Sequence, residues 1–309
     1  MPQISKIIHP ISPYDLDKTC WFSSPFQDPD SADPYESGKF TRILRSDDQL
    51  VLVTVREVGI EKAPQVELNI DGKYLSEKLV RDISSQVKSI LGFDLSVANF
   101  YSMSSNDPVL GPITKKFLGL RPTKTPTVFE GLIQTIISQQ IHRSVAKMIC
   151  DLLVKNHGET LHVNEKTYTV FPTPESLFDA GTVGLKRCKL SHRKAQYIWD
   201  ISQQITTGEL DLEDLRFVSA SEAIQQLTAL RGIGIWTANW LLIRALGHPD
   251  GFPSGDLALQ KAMTILLSDG QKMSQHDILC HSKRWSPYRS LATTYIFAHY
   301  RSKLASRVM

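Results

Sequence analysis

Hydrophobic residues follow two different patterns along the chain. Between residues 40 and 70 they form short runs rich in valine, isoleucine and leucine, which are typical of strands: Phe40 to Leu44, Leu50 to Val58 and Val66 to Ile70. The segment from Leu75 to Leu91 instead repeats apolar positions at helical spacing. Together these patterns predict an antiparallel sheet that is backed by a helix.

From Leu95 onward the chain shows helical periodicity almost throughout. Breaks are predicted near Gly111 and Pro112, at Leu120 to Thr127, at Gly158 to Pro174, at Gly208 and at Gly247 to Gly255. Near the N-terminus, Ser23 to Ser37 is rich in proline, aspartate and serine and is predicted to be a loop. The predicted fold class is α+β, with an N-terminal domain over residues 1–94 and a helical domain over residues 95–309.

Two glycines in the segment Leu230 to Asn239 predict a tight turn between two helices, Ser221 to Leu230 and Trp236 to Leu246. Such a turn leaves amide N–H groups unpaired at the positive end of the second helix, where they suit a phosphate oxygen. Plain chain reversal would use the same pattern. A dinucleotide site is disfavoured because the residues before Gly232 and Gly234 have helical and not strand periodicity.

Asp256 follows Pro253-Ser254-Gly255 and precedes a second run with helical spacing. An aspartate in this position is typical of a helix N-cap, so capping alone would explain it. The segment as a whole thus joins a candidate phosphate-binding turn to a carboxylate.

Composition limits these possibilities only a little. The 309 residues include 35 basic and 32 acidic side chains, and the net charge of +3 requires any nucleic-acid surface to be a local patch. Cys20, Cys150, Cys188 and Cys280 are scattered, which argues against zinc sites and disulfide scaffolds. The sequence shows no apolar signal segment and no run long enough to span a bilayer, so an intracellular protein without a membrane partner is expected.

The hairpin and the aspartate resemble those of the helix-hairpin-helix (HhH-GPD) DNA glycosylases, and in particular the 3-methyladenine DNA glycosylase II branch. The similar segments are Leu230 to Asn239, Phe252 to Leu259, Trp285 to Ala292, and Phe129-Glu130-Gly131-Leu132-Ile133 running to Ser138-Gln139-Gln140-Ile141. Arg231 departs from the proline that is frequent there, and a proline would only stiffen the turn. The resemblance implies a two-lobed helical glycosylase core with the hairpin and catalytic loop at residues 221–268 and the last helices at 275–305.

The resemblance implies that Asp256 stabilises the oxocarbenium-like transition state of base removal. Relatives that also cut the strand have a lysine at the position of Trp236, which would form a Schiff base. Tryptophan cannot, so a monofunctional hydrolase without lyase activity is expected, with Lys261 as the remaining alternative nucleophile. No cofactor is expected, and the scattered cysteines exclude the iron–sulfur cluster of some relatives.

Further site residues are implied by the same resemblance. An aromatic pocket would favour cationic alkylated bases, and its candidates are Trp236, Trp240, Trp285, Phe252 and Tyr288. Core packing is the alternative for Trp236 and Trp240, and for Trp285 the alternative is that its segment anchors the last helix. Gln140 and Ile141 are the candidates for plugging the gap that a flipped base leaves, and Gln139 would support their loop.

Contacts to the DNA backbone are expected from the amides of Gly232, Gly234 and Trp236, with help from Thr237. The resemblance also implies a monovalent cation, Na⁺ or K⁺, at hairpin carbonyls near Gly232 and Gly234, and no metal held by side chains. Additional candidates for backbone contacts are His142, Arg143, Arg193 and Lys194.

The expected partner is double-stranded DNA that contains damaged bases, bound by a monomer in the bacterial cytoplasm or the eukaryotic nucleus. Two other functions remain open. One is a non-catalytic helix-hairpin-helix protein that binds damaged or bent DNA, which would need neither Asp256 nor the aromatic set. The other is a glycosylase for oxidised or deaminated bases.

Overall fold

The computed structural model describes residues 1–23, 35–36, 38–60, 63–163, 165–268 and 270–305. Its N-terminal part is a five-stranded antiparallel sheet in the order β1-β5-β4-β3-β2. The strands are β1 (Gln3–Ile8), β2 (Tyr35–Glu36), β3 (Lys39–Ser46), β4 (Gln49–Glu57) and β5 (Val66–Asp71). The three predicted strands are confirmed as β3, β4 and β5, and the α+β class is confirmed with them.

Two N-terminal strands were not predicted. β1 pairs with β5 at the edge of the sheet, and its residues are mostly exposed, so it lacks the apolar run that marks the other strands. Tyr35 and Glu36 pair with β3 and correct part of the loop that was predicted over Ser23 to Ser37. Residues 24–34 and 37 of that loop lie outside the described residues.

One face of the sheet packs against α2 (Glu77–Leu91), which confirms the predicted helix there. Ser76 caps its start by accepting from the N–H of Leu79, and Gly92 ends it in the left-handed conformation with φ of 67°. Valines of β4 and the apolar face of α2 form the buried layer between them. The short helix α1 (Leu16–Ser23) also contributes Leu16 and Cys20 to this core.

The other face of the sheet is covered by a hairpin of β6 (Thr160–Val163) and β7 (Lys166–Thr169). Val163 of the hairpin packs with Leu50 and Leu52 of β4. Only a break was predicted at Gly158 to Pro174, so the expectation of an almost purely helical chain after Leu95 is corrected here. The hairpin strands are four residues long and bury little of their own surface, which leaves a weak local signal.

The remaining elements are helical and form two lobes. One lobe has the core of α5 (Val128–Ser138), α6 (Arg143–His157), α7 (Pro174–Arg187), α8 (His192–Thr206) and α9 (Ala220–Ala229). The other has α3 (Ala98–Ser105), α4 (Leu110–Lys116), α11 (Leu257–Leu267), α12 (Gln275–Ser282) and α13 (Arg289–Ala305). The second lobe is therefore discontinuous in sequence.

The helix α10 (Ile235–Leu241) is shared by the two lobes. Ala238 and Leu241 lie in the core of the first lobe, whereas Trp240 lies in the core of the second. The predicted helix from Trp236 to Leu246 is corrected in one respect, because Leu242–Leu246 forms a π-helical turn that ends at Gly247 with φ of 73°. The catalytic candidates on and after α10 thus stand where the lobes meet.

A buried ion pair joins the sheet to the helical core. Nη2 of Arg42 on β3 donates to both carboxylate oxygens of Glu130 in the first turn of α5, at 2.6 and 2.8 Å. Their side chains are 7% and 5% exposed. The Nε2 group of Gln134 donates to the same carboxylate at 2.9 Å. The sheet therefore fixes the start of the helix that leads to Gln139 and Gln140.

Candidate active site

Asp256 is the N-cap of α11, and four N–H groups orient its carboxylate. Oδ1 accepts from the backbone N–H groups of Ala258 at 3.0 Å and Leu259 at 2.9 Å, which confirms the predicted cap. Oδ2 accepts from Nε1 of Trp236 at 3.0 Å and from Nε1 of Trp240 at 3.2 Å. One oxygen thus caps the helix, and the other is held by two indoles.

The two indoles reach the same oxygen because Trp236 and Trp240 lie four residues apart on α10, on one face of the helix. Trp236 is half-buried, whereas Trp240 is 7% exposed. Buried indole N–H groups need an acceptor, and the carboxylate supplies it. The pair therefore fixes the position of Asp256 relative to α10.

The loop before Asp256 is held by the motifs around it. Oδ1 of Asn239 accepts from the backbone N–H of Phe252 at 2.9 Å. Nε and Nη2 of Arg289 donate to the carboxylate of Asp250 at 2.8 and 2.7 Å, and these bonds lower the pKa of Asp250 against the effect of burial. The C-terminal segment that begins at Trp285 thus anchors the loop that carries Asp256.

The hairpin between α9 and α10 has the predicted tight turn. Gly232 adopts φ of 84°, and a Cβ there would lie 2.3 Å from Cδ2 of Tyr197, so a side chain fits neither the backbone nor the space. Gly234 is the N-cap of α10, where no side chain forms a capping bond, and the space around its Cα is open. The start of α10 is therefore accessible to an anion.

The loop after α5 lies beside this hairpin. Nε2 of Gln139 donates to the carbonyl of Gly232 and to Oγ1 of Thr237, both at 3.1 Å, which confirms its predicted supporting role. Gln140 is exposed and has φ of 56°, and Ile141 is 37% exposed. His142 then caps α6. Residues 139–142 are called the wedge loop below.

Two of the residues predicted to contact the DNA backbone have hydrogen-bond partners inside the protein. Thr237 is 1% exposed, and its hydroxyl accepts from Gln139, so it supports the wedge loop from inside. Nζ of Lys194 donates to the carbonyls of Ile137 at 2.8 Å and Gln139 at 2.6 Å. The predictions for His142, Arg143 and Arg193 remain open, and all three residues are exposed.

The five predicted pocket aromatics differ in accessibility. Trp285 and Phe252 are 0% and 4% exposed and lie in the apolar core of the second lobe. Nε1 of Trp285 donates to the carboxylate of Asp107 at 2.9 Å, so this tryptophan anchors its segment and lines no open pocket. Trp236 and Tyr288 are half-buried and reach the surface.

The prediction that Trp240 offers an open surface for stacking a base is also corrected. The guanidinium of Arg244 lies over its ring, 4.1 Å from the centroid, and the ring of Phe297 packs 5.6 Å away. Burial lowers the pKa of Arg244, while the charge of Asp256 opposes that shift. Trp240 thus orients the carboxylate, and one of its faces already holds a cation.

Sequence reasoning missed Arg244 and Arg301, and it named Arg143 only as a candidate contact to the DNA backbone. Arg244 ends up near Arg143 at the start of α6 and Arg301 on α13, and burial together with these two guanidiniums lowers the pKa of Arg301. The three arginines come from separate elements, so no local pattern could have grouped them. Of the three, Arg244 is close enough to Asp256 for that carboxylate to raise its pKa against the effect of burial.

Comparison with known proteins agrees with this geometry. The family model described as HhH-GPD superfamily base excision DNA repair protein matches residues 133–287, which is half of the 309-residue chain. The chain belongs to the HhH-GPD superfamily. The matched range of this HhH-GPD protein contains the wedge loop, the hairpin, Asp256 and the start of the segment at Trp285.

Individual relatives place the HhH-GPD chain more closely. It is 30% identical over 262 residues to a protein of Bacillus subtilis named DNA-3-methyladenine glycosylase, a match that covers 85% of this chain and 86% of that one. Escherichia coli DNA-3-methyladenine glycosylase 2 is 26% identical over 179 residues, which cover 58% of this chain and 60% of that one. The structure of the 3-methyladenine DNA-glycosylase from Archaeoglobus fulgidus matches with a TM-score of 0.85 and 27% identity, covering 96% of this chain and 98% of that one.

Proposed function

We propose that the protein removes alkylated bases, of the 3-methyladenine type, from duplex DNA by hydrolysing the N-glycosidic bond. Membership of a base excision repair superfamily supports this, as do the names of relatives that match nearly the whole chain. The observation that carries the proposal is the carboxylate of Asp256, which two backbone and two indole N–H groups orient beside the hairpin.

Breaking the N-glycosidic bond develops positive charge on the sugar. A carboxylate held in place before the reaction stabilises this charge without reorganising, and it can orient the attacking water. Asp256 has this role in the proposal. The indoles of Trp236 and Trp240 are positioning groups, because each holds Oδ2 by one hydrogen bond.

We further propose that the enzyme has no lyase activity. Trp236 stands where a Schiff-base lysine would be needed, and its Nε1 donates to Asp256. Lys261 is exposed on α11 and remains the alternative nucleophile.

DNA contacts in the proposal come from the hairpin and the wedge loop. The open start of α10 receives a backbone phosphate, and Gln140 or Ile141 enters the base stack when the damaged nucleotide is flipped. The carbonyls of Leu230 and Gly232 each accept one hydrogen bond and keep a second lone pair, which is compatible with a hard monovalent cation at the hairpin. The protein would bind as a monomer inside the cell. None of the described helices could cross a membrane.

The test is base release from methylated duplex DNA by the wild type, with borohydride added in parallel. We expect free alkylated purine, an intact strand and no covalent protein–DNA adduct. A trapped adduct that disappears in Lys261→Ala would show that Lys261 forms a Schiff base, and the enzyme would then have lyase activity. Binding to an abasic duplex without release of alkylated bases would favour one of the two other functions. The protein would then be a non-catalytic DNA binder, or a glycosylase for oxidised or deaminated bases, and a panel of lesions would distinguish the two.

The two hairpin glycines form a matched pair of variants. In Gly232→Ala the left-handed backbone alone costs about 1–2 kcal/mol, and the new methyl overlaps the ring of Tyr197. Gly234→Ala meets no atom within 4 Å, so its free energy of unfolding should change little. We expect the first variant to unfold at lower denaturant concentration. The second should keep its stability and lose affinity for abasic DNA at fixed salt, because its methyl obstructs the phosphate. Equal affinity in Gly234→Ala and wild type would argue against a phosphate at this turn.

A further inference from the structure

Lys194 joins α8 to the end of α5. It lies in the first turn of α8, where its own N–H donates to the N-cap Ser191, and its side chain is half-buried. Nζ donates to the carbonyls of Ile137 and Gln139 at 2.8 and 2.6 Å. Burial lowers the pKa of Lys194. Two of its three N–H donors therefore bind main-chain oxygens.

Ile137 lies in the last turn of α5 and Gln139 is its C-cap, where carbonyls have no partner within the helix. A cation at this end of a helix also interacts favourably with the helix dipole. Lys194 thus caps α5 from outside, at the point where the chain leaves the helix and enters the wedge loop.

The wedge loop needs such support because its backbone is unusual. Gln140 has φ of 56°, a conformation that residues with a Cβ adopt rarely and keep only when their surroundings hold it. On the side of the hairpin, Nε2 of Gln139 donates to the carbonyl of Gly232. On the side of α8, Lys194 holds the carbonyls on either side of Ser138. The two contacts together fix the residue before Gln140.

We propose that Lys194 is a positioning residue for base flipping, which keeps the wedge loop in the shape that enters the DNA stack. This inference rests on the proposed glycosylase function. A duplex must be plugged when a nucleotide leaves the stack, and a loop that is already ordered binds without a further loss of conformational freedom. A damaged base in a single strand leaves no such gap. Lys194 therefore contributes to the rate of base release from duplex substrates and not to the rate from single strands.

Arg193 offers a matched control one residue away. It is exposed on the same turn of α8, and Arg193→Met removes the same charge as Lys194→Met without touching the carbonyls of α5. Lys194→Arg keeps both the charge and the ability to donate to two carbonyls. The three variants therefore separate loss of charge from loss of the contact to the wedge loop.

The experiment measures single-turnover release of an alkylated base from one sequence, as a duplex and as a single strand, at fixed salt and below the unfolding temperature of every variant. We expect Lys194→Met to lower the duplex rate about ten- to a hundredfold, the size of effect that a small misplacement produces, and to leave the single-strand rate unchanged. Lys194→Arg should recover most of the duplex rate. Arg193→Met should change both rates by the same factor.

Four outcomes would overturn the inference. An equal fall on both substrates in Lys194→Met would show a general structural role. In a separate titration of abasic-duplex binding over a range of salt concentrations, a fall of about 0.9 in the magnitude of the slope of log affinity against log salt in Lys194→Met would show that Lys194 contacts a phosphate. If the wild type releases no base from either substrate, the proposed function fails and the inference fails with it. Normal single-strand release together with unaltered duplex release in Lys194→Met would overturn the inference alone.

Discussion

Asp256→Asn is expected to lower base release by about 10²–10³-fold, the loss that follows removal of one preorganised electrostatic group. The asparagine side chain is neutral and cannot stabilise the positive charge that develops on the sugar. Binding to an abasic duplex should survive, because the hairpin and the wedge loop do not include this residue. Rates are measured under single-turnover conditions, with binding measured at the same salt concentration.

The structure predicts that Asp256→Asn also loses stability, which the helix cap alone would not have suggested. Asparagine caps helices about as well as aspartate. However, an amide that keeps its oxygen toward Ala258 and Leu259 turns its NH₂ group toward the indole N–H groups of Trp236 and Trp240. Leaving the buried indole donor of Trp240 without an acceptor costs about 1–3 kcal/mol. The variant should therefore also be less stable, and rates must be compared where it is fully folded.

Asp107 provides the control for this loss of stability. Its Oδ1 accepts from the N–H groups of Val109 and Leu110 at the start of α4, and its Oδ2 accepts from Nε1 of Trp285. Asp107→Asn thus disturbs the same kind of cap and indole contact in the same lobe. We expect it to lose stability and to keep the rate of base release. If both variants lose activity in proportion to their stability, Asp256 is a structural cap and not a catalytic residue.

Glu130→Ala is expected to lower the free energy of unfolding by about 3–5 kcal/mol, because it leaves the buried guanidinium of Arg42 without its carboxylate. Chemical denaturation of the purified protein measures the change. Replacing both Arg42 and Glu130 with methionine removes the two charges together and should recover most of the loss.

A second ion pair from the same strand serves as the exposed control. Arg45 on β3 pairs with Glu159 just before β6, and their side chains are 32% and 57% exposed. Glu159→Ala should cost at most about 1 kcal/mol, as exposed ion pairs usually do. If Glu130→Ala and Glu159→Ala cost the same, the buried pair does not join the sheet to α5 in the way that its burial indicates.

The sequence by itself determined the features that depend on neighbouring residues. The runs of β3, β4 and β5, the helix α2, the turn at Gly232 and the cap at Asp256 all have local signals, since strand alternation, helical spacing and cap residues act within a few positions. The chemistry of Asp256 came from the family that these segments resemble. The expectation that the enzyme lacks lyase activity likewise depends on one position, because the tryptophan at position 236 cannot form a Schiff base.

Only the tertiary structure decided which side chains meet. The hairpin β6–β7 forms against the second face of the sheet, on the strands β3 and β4 that lie more than 100 residues earlier in the chain. Trp285 and Asp107 form a hydrogen bond across 178 positions, and Lys194 reaches Ile137 of α5 across 57. The physical reason is that a buried polar group must find a partner wherever the fold brings one. Local periodicity therefore predicted the elements and the catalytic candidate, whereas burial decided that Trp240 and Trp285 bind carboxylates and that Lys194 holds the wedge loop.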